Sequence, residues 1–210
     1  MRVFLLSGHA LIRRGLAELL LTEGFAVVGE ADSIAGALPR AAELAPEVAL
    51  VENRMPDGTG IEACRALRVA APQTRCLIVT TYEEELALRS AVMAGAAGYV
   101  LQRASADGLP EKIRRVAAGE QLLSPEAVQA VRSALAAHPV PGATAVERAV
   151  LSLILQGMTN LEIGEELALP QNTLAGHLSS LLAKLGYRPA PGLFHEHAPR
   201  HPPVGYPGER

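Results

Sequence analysis

Between residue 2 and about residue 118, short runs of aliphatic and β-branched residues alternate five times with longer stretches of helical periodicity. The apolar runs fall at 2–6, 25–29, 48–52, 75–80 and 98–101, and the helical patterns near 9–22, 33–44, 59–71, 84–95 and 106–118. Few folds accept that rhythm. A run such as Val48-Ala49-Leu50-Val51 has no polar face, so as a strand it needs cover on both sides. Helices wound over the two faces of a parallel sheet supply that cover. Right-handed crossovers then leave a flavodoxin-like doubly wound, five-stranded α/β sheet as the expected architecture.

The rhythm stops near residue 118. Ser124-Pro125-Glu126 opens a further helical stretch that runs to Ala137, and His138-Pro139-Val140-Pro141-Gly142 breaks it. Three helical segments follow: Thr144 to Leu155, Thr159 to Leu167, and Gln171 to Leu185, stopped by Gly186. Two helices joined by a short turn and packed on a third form the helix-turn-helix pattern. Leu151, Ile154, Leu155, Ile163, Leu167, Leu174, Leu178, Leu181, Leu182 and Leu185 repeat at helical spacing and read as its core. Beyond Gly186 the density of proline allows no long helix. The expected divisions are an α/β domain over 1–118, a helical linker over 119–142, a small all-α domain over 143–187, and a Pro-rich, disordered tail over 188–210.

The chemistry-bearing carboxylate is Glu52, at the C-terminal end of an apolar run, where open α/β sheets place their sites. A net charge of −3 gives no general attraction to nucleic acid, so any DNA contact has to be local. Cys64 and Cys76 lack metal-site and redox spacing and read as buried thiols. His195, His197 and His201 sit among prolines without the cysteines or carboxylates that would complete a metal site. No cofactor or metal is expected. The apolar start is too short for a signal peptide and no segment is long enough to span a bilayer, which predicts a cytoplasmic protein with no membrane partner.

The segment Glu52-Asn53-Arg54-Met55-Pro56-Asp57-Gly58-Thr59-Gly60 resembles the Asp-x-Arg-Met-Pro-x-x-x-Gly stretch of response-regulator receiver domains. The similarity continues through His9-Ala10-Leu11-Ile12-Arg13-Arg14-Gly15-Leu16, Ile78-Val79-Thr80-Thr81-Tyr82 and Gly95-Ala96-Ala97-Gly98-Tyr99-Val100-Leu101. Met158-Thr159-Asn160-Leu161-Glu162-Ile163 and Asn172-Thr173-Leu174-Ala175-Gly176-His177-Leu178 resemble the LuxR-type helix-turn-helix. As far as Gly186 the chain is therefore similar to a NarL/FixJ-type regulator of the two-component systems. In that family an acidic pair and an acceptor Asp hold magnesium, and a Lys pairs with the phosphoryl group. The resemblance places Ser7 and Gly8 at the acidic pair, Glu52 at the acceptor and Gln102 at the Lys. Magnesium needs hard, usually anionic oxygens in octahedral array, and two of the three carboxylates are gone. Glu52 is one methylene longer than Asp, which displaces its oxygens by about 1.5 Å and spoils an in-line attack. The resemblance thus implies an atypical, phosphorylation-independent receiver. Thr80 and Tyr99 match the family's switch positions, and Glu52 is expected to accept a hydrogen bond from Thr80.

On the third helix of the helix-turn-helix, the resemblance assigns double-stranded DNA contacts to Gln171, Asn172, Thr173, Ala175, Gly176, Ser179, Ser180 and Lys184. A commonly basic family position is Ala175 here and a second is Ser179. His177 matches a position that packs within the domain. From Thr144 to Tyr187 the cations are Arg148 and Lys184, against Glu147, Glu162, Glu165 and Glu166. Phosphate contacts supply most non-specific affinity, so weak binding with a shallow salt dependence is expected. The reading is a non-enzymatic, DNA-binding transcriptional regulator. It is expected to work as a homodimer through its receiver-like domain and to answer to a small-molecule or protein effector. The alternative is an interaction module, or decoy, that pairs with another regulator and binds DNA poorly itself.

Overall fold

The computed structural model describes residues 1–101 and 108–190. Each apolar run of the first half is a strand and each helical pattern a helix. The order is β1 (Arg2–Leu6), α1 (Ala10–Thr22), β2 (Ala26–Ala31), α2 (Ile34–Leu44) and β3 (Val48–Glu52). A two-rung hairpin follows, β4 (Arg54–Met55) with β5 (Gly58–Thr59), then α3 (Gly60–Ala70), β6 (Arg75–Thr80), α4 (Glu84–Ala94), β7 (Gly98–Leu101) and α5 (Leu109–Ala117). Five strands form one parallel sheet in the order β2-β1-β3-β6-β7, the doubly wound arrangement the alternation demands. The hairpin has no counterpart in the sequence reading, because two-residue strands carry no periodicity. β2 runs two residues further than its apolar run, since Glu30 and Ala31 pair with Leu5 and Leu6.

Strand alternation divides the core in two. Val3, Leu5, Val48, Leu50, Leu77 and Val79 face α1 and α5. Phe4, Leu6, Ala49, Val51 and Ile78 face α2, α3 and α4. Cys64 and Cys76 are buried on this second side, and burial pushes the Cys64 thiol up, away from the reactive thiolate.

The second half holds α6 (Pro125–Ala137), α7 (Ala145–Leu155), α8 (Asn160–Glu166) and α9 (Gln171–Lys184). Thr144 and Thr159 open α7 and α8 with capping boxes: each hydroxyl accepts from the backbone N–H three residues on, and Glu147 or Glu162 reaches back to the threonine N–H. Leu151, Ile154, Ile163, Leu174, Leu178, Leu181 and Leu182 are buried between the helices, with Leu155, Leu167 and Leu185 packed at the edge.

The two halves share one apolar cluster, which runs from the α2–α4 side of the sheet into α7–α9. Polar clamps sit at its edges. Arg65 on α3 donates from Nε to Asn160 Oδ1 (2.8 Å), from Nη2 to the Met158 carbonyl (2.8 Å) and from Nη1 to the Met93 carbonyl (3.1 Å). Arg89 on α4 donates to the Tyr187 hydroxyl (2.9 Å) and the Leu185 carbonyl (2.8 Å), with its guanidinium 5.3 Å from the centre of the Tyr187 ring. Ala190 N–H reaches the Met55 carbonyl at 2.9 Å, which fastens the end of the described chain to the β4–β5 hairpin.

Candidate functional site

The pairing of β1 with β3 sets Leu6 beside Val51, so Ser7 and Glu52 leave neighbouring strands at the same edge of the sheet. Ser7 Oγ donates to Glu52 Oε2 at 2.6 Å, and the His9 Nδ1–H donates to Glu52 Oε1 at 2.8 Å. The serine is buried, and its hydroxyl accepts from the His9 backbone N–H at 3.2 Å. Arg13 holds the Ser7 carbonyl at 2.6 Å. Both carboxylate oxygens of Glu52 are thereby taken by near neighbours on the β1 side. At Gly8 an added Cβ would lie 3.0 Å from Pro56 Cδ, so any side chain there would press on the proline ring, which would have to give by a few tenths of an ångström.

This set does not fit a magnesium ion. One carboxylate with both oxygens engaged, a hydroxyl and an imidazole are not the anionic oxygen cage such an ion takes. Among the described residues no three His, Cys, Asp or Glu side chains gather as ligands. The other carboxylate of the loop, Asp57, is used elsewhere: it accepts from the Ile34 N–H (2.9 Å) and the Ala35 N–H (3.0 Å) and caps the start of α2. The cavity beside Glu52 holds only about 10 Å³, space for about one water. Gln102 lies outside the described residues.

The bond expected from Thr80 to Glu52 is not made. Glu52 leans toward β1, while Thr80 Oγ1 accepts from the Tyr82 N–H (3.0 Å) and from Asn53 Nδ2 (3.4 Å). Asn53 is buried and its Oδ1 has no hydrogen-bond partner among the described residues. Sequence reasoning missed His9 and Asn53. His9 directly follows Ser7-Gly8, and that adjacency was its only signal. Tyr99 OH donates to Glu84 Oε1 at 3.3 Å on the surface of α4, and burial followed by the Glu84 charge raises its pKa.

The α9 residues divide by task. Asn172, Thr173, Ala175, Gly176 and Ser179 are exposed. Gln171 donates from Nε2 to the Asn160 carbonyl (3.1 Å) and closes the turn between α8 and α9. Lys184, itself exposed, pairs within the domain, with Nζ 2.6 and 2.8 Å from the two oxygens of buried Glu147. The Lys184 ammonium, the Ser180 hydroxyl and the Thr144 N–H hold that carboxyl down at about 2. Arg148 donates to the Ala143 carbonyl at 2.5 Å. Both cations between Thr144 and Tyr187 therefore have partners within the domain. Ala175 and Leu178 line a crevice with Asp57 and Glu62, so α9 lies beside the first domain and its acidic side chains.

The family described as response regulator receiver domain matches residues 3–114, more than half of the chain. The chain belongs to the response-regulator family. Bacterial regulatory proteins of the luxR family match residues 144–195, so this response regulator carries a LuxR-type helix-turn-helix and is a DNA-binding transcriptional regulator. It is 40% identical over 191 residues to the DNA-binding transcriptional activator DevR/DosR of Mycobacterium tuberculosis, covering 88% of each chain. It is 32% identical over 194 residues to the transcriptional regulatory protein MctR of Rhizobium johnstonii, covering 92% of this chain and 91% of the other. Among solved structures it resembles the signal receiver domain of the putative response regulator NarL of Mycobacterium tuberculosis, with a TM-score of 0.53 and 32% identity, over 57% of this chain and 97% of that one. A LuxR-family response regulator from Aurantimonas sp. SI85-9A1 gives a TM-score of 0.55 and 30% identity, over 63% and 96%. Among the described residues, no helix of the regulator is long and apolar enough to cross a membrane.

Proposed function

We propose that this regulator controls transcription without taking up phosphate. The observation that carries the reading is the closed cluster at Glu52. In place of an open acidic site, the carboxylate is tied to Ser7 and His9, and Pro56 packs closely beside Gly8. Glu52 holds a fixed negative charge at the acceptor position, and that charge takes part in no transfer. The atypical character follows, together with a receiver domain at 1–118, a linker at 119–142 and a DNA-binding domain at 143–187. Incubation of the full chain with acetyl phosphate and magnesium, read by intact-mass analysis, is expected to add no phosphoryl group. A stoichiometric adduct within residues 1–118 overturns the reading.

Double-stranded DNA is the partner, entered by the N-terminal part of α9 with Asn172, Thr173, Ala175, Gly176 and Ser179 toward the major groove. The receiver domain supplies the contacts of a homodimer, and two half-sites together offset the weakness of each. The interaction-module alternative is favoured by one specific observation: Lys184 and Arg148 are spent inside the helix-turn-helix. A gel-shift titration over promoter fragments at low salt separates the two. Binding with a shallow salt slope supports the regulator, and no binding at any protein concentration supports the module.

A further inference from the structure

The Glu52 site has no room for an effector, but a larger cavity lies where α3 and α4 of the receiver meet α6 and the end of α7. Its volume is about 360 Å³, within the range of small-molecule sites. Three arginines line it, Arg65, Arg68 and Arg132, and no described carboxylate residue does. Arg65 is 2% exposed, and all three of its hydrogen bonds go to neutral oxygens, so its charge is held in place without being neutralised. Burial, and then the like charge of Arg68, lower its pKa to about 10. Arg68 packs against the turn at Gly95 and makes no hydrogen bond or salt bridge among the described residues. Arg132 Nε is buried without a hydrogen-bond partner among the described residues.

Some negative charge is near. The carboxyl ends of α4 and α7 border the cavity, each worth about half an elementary charge. Glu162 on α8 feels the charge of Arg68. Three full positive charges outweigh these. A buried donor left unpaired costs free energy that a bound acceptor would return. The remaining wall is apolar, with Val128 and Ile154, while Gln121 adds one amide. Guanidinium forks match the oxygens of a phosphoryl group in pairs, and a dianion answers three cations better than a carboxylate does.

We propose that this interdomain cavity binds a small organic phosphate ester, its phosphoryl group held by Arg68 and Arg132 and its apolar body lying against Val128 and Ile154. Such a ligand touches helices of both halves of the chain at once. It therefore binds the arrangement in which α9 lies beside the receiver and, by linkage, stabilises that arrangement. The inference goes beyond the reading of Glu52 and does not depend on it.

Isothermal titration calorimetry of the full chain tests the site, with phenyl phosphate as the probe and phenol and inorganic phosphate as comparisons. Saturable binding of phenyl phosphate is expected, with none of phenol and weaker binding of inorganic phosphate. The double variant Arg68→Gln/Arg132→Gln should weaken phenyl phosphate at least about tenfold, the size of one lost charge-assisted bond. Neither side chain makes a hydrogen bond within the described structure, so thermal melts should show the variant folded, and Arg65 is left intact because it clamps the two halves. No saturable binding of phenyl phosphate at millimolar concentration overturns the proposal, as does binding that the double variant leaves undiminished. Inorganic phosphate binding as tightly as phenyl phosphate overturns the ester assignment and leaves a site for free phosphate.

Discussion

At Glu147 a buried carboxylate draws three donors: the Lys184 ammonium, the Ser180 hydroxyl and the Thr144 N–H. Its pKa falls to about 2, from about 4.3 for an unperturbed glutamate. A carboxyl depressed by folding binds its proton less readily in the native state. Its contribution is complete above the unfolded value and is lost as pH falls from there through about 2. Thermal melts should therefore show stability dropping between about pH 5 and pH 2, and Glu147→Gln should remove part of that slope while lowering stability at neutral pH. A variant that melts like the parent at pH 7 would show the ion pair to be inert. At Glu52 the comparable bonds come from Ser7 and His9, which occupy both carboxylate oxygens.

Among the elements, α9 makes two demands that conflict. Its inward face is a regular apolar stripe, Leu174, Leu178, Leu181 and Leu182, and needs a well-formed helix. Its outward face carries Gly176, where an added Cβ would meet nothing within 4 Å. Gly176→Ala should raise stability by about 1 kcal/mol, the usual cost of glycine in a helix interior, read as a higher denaturant midpoint. No gain would mean that α9 is not limited by its own propensity. One position earlier, Ala175→Lys places a cation on the exposed face and should raise affinity for all duplexes, with the salt slope steeper by about 0.9 per added phosphate contact. An unchanged slope in a gel-shift salt series would put the DNA surface elsewhere. Asp57 and Glu62, across the crevice from Ala175, would draw the new lysine while the halves are together. The gain should accordingly be larger in a variant whose halves are apart.

For the whole molecule the decisive feature is the shared core. One apolar cluster joins the receiver to the helix-turn-helix, and Arg65, Arg89 and Tyr187 clamp its edges. If DNA enters along α9 as proposed, it meets Asp57 and Glu62 of the receiver, and the halves are then expected to part before a duplex is bound. Arg89→Ala removes two hydrogen bonds and the contact with the Tyr187 ring, and should shift the population toward the open arrangement. Small-angle scattering should report a larger radius and gel shifts a higher affinity. A variant as compact as the parent, with unchanged affinity, would show that this clamp does not control access. Much of the architecture is legible without coordinates. The periodicity of Val48-Ala49-Leu50-Val51 and its four counterparts calls for a parallel sheet covered on both faces, while the strand order β2-β1-β3-β6-β7 comes from the tertiary structure. The capping residues Thr144 and Thr159 announce their helices because capping is local. That Ser7 and Gly8, not acidic residues, follow the first strand is likewise plain from residue identity. Where each polar side chain spends its bonds is not local. Lys184 reads as a DNA contact until Glu147, 37 residues away, claims it. Thr80 reads as a partner of Glu52 until Asn53 and Tyr82 take it. Arg65 is one arginine on an amphipathic helix until it bridges two halves of the chain and, with Arg68 and Arg132, lines a cavity. Periodicity and capping act within a few residues and are written in the sequence, whereas pairing between polar groups depends on distances that exist only once the chain has closed on itself.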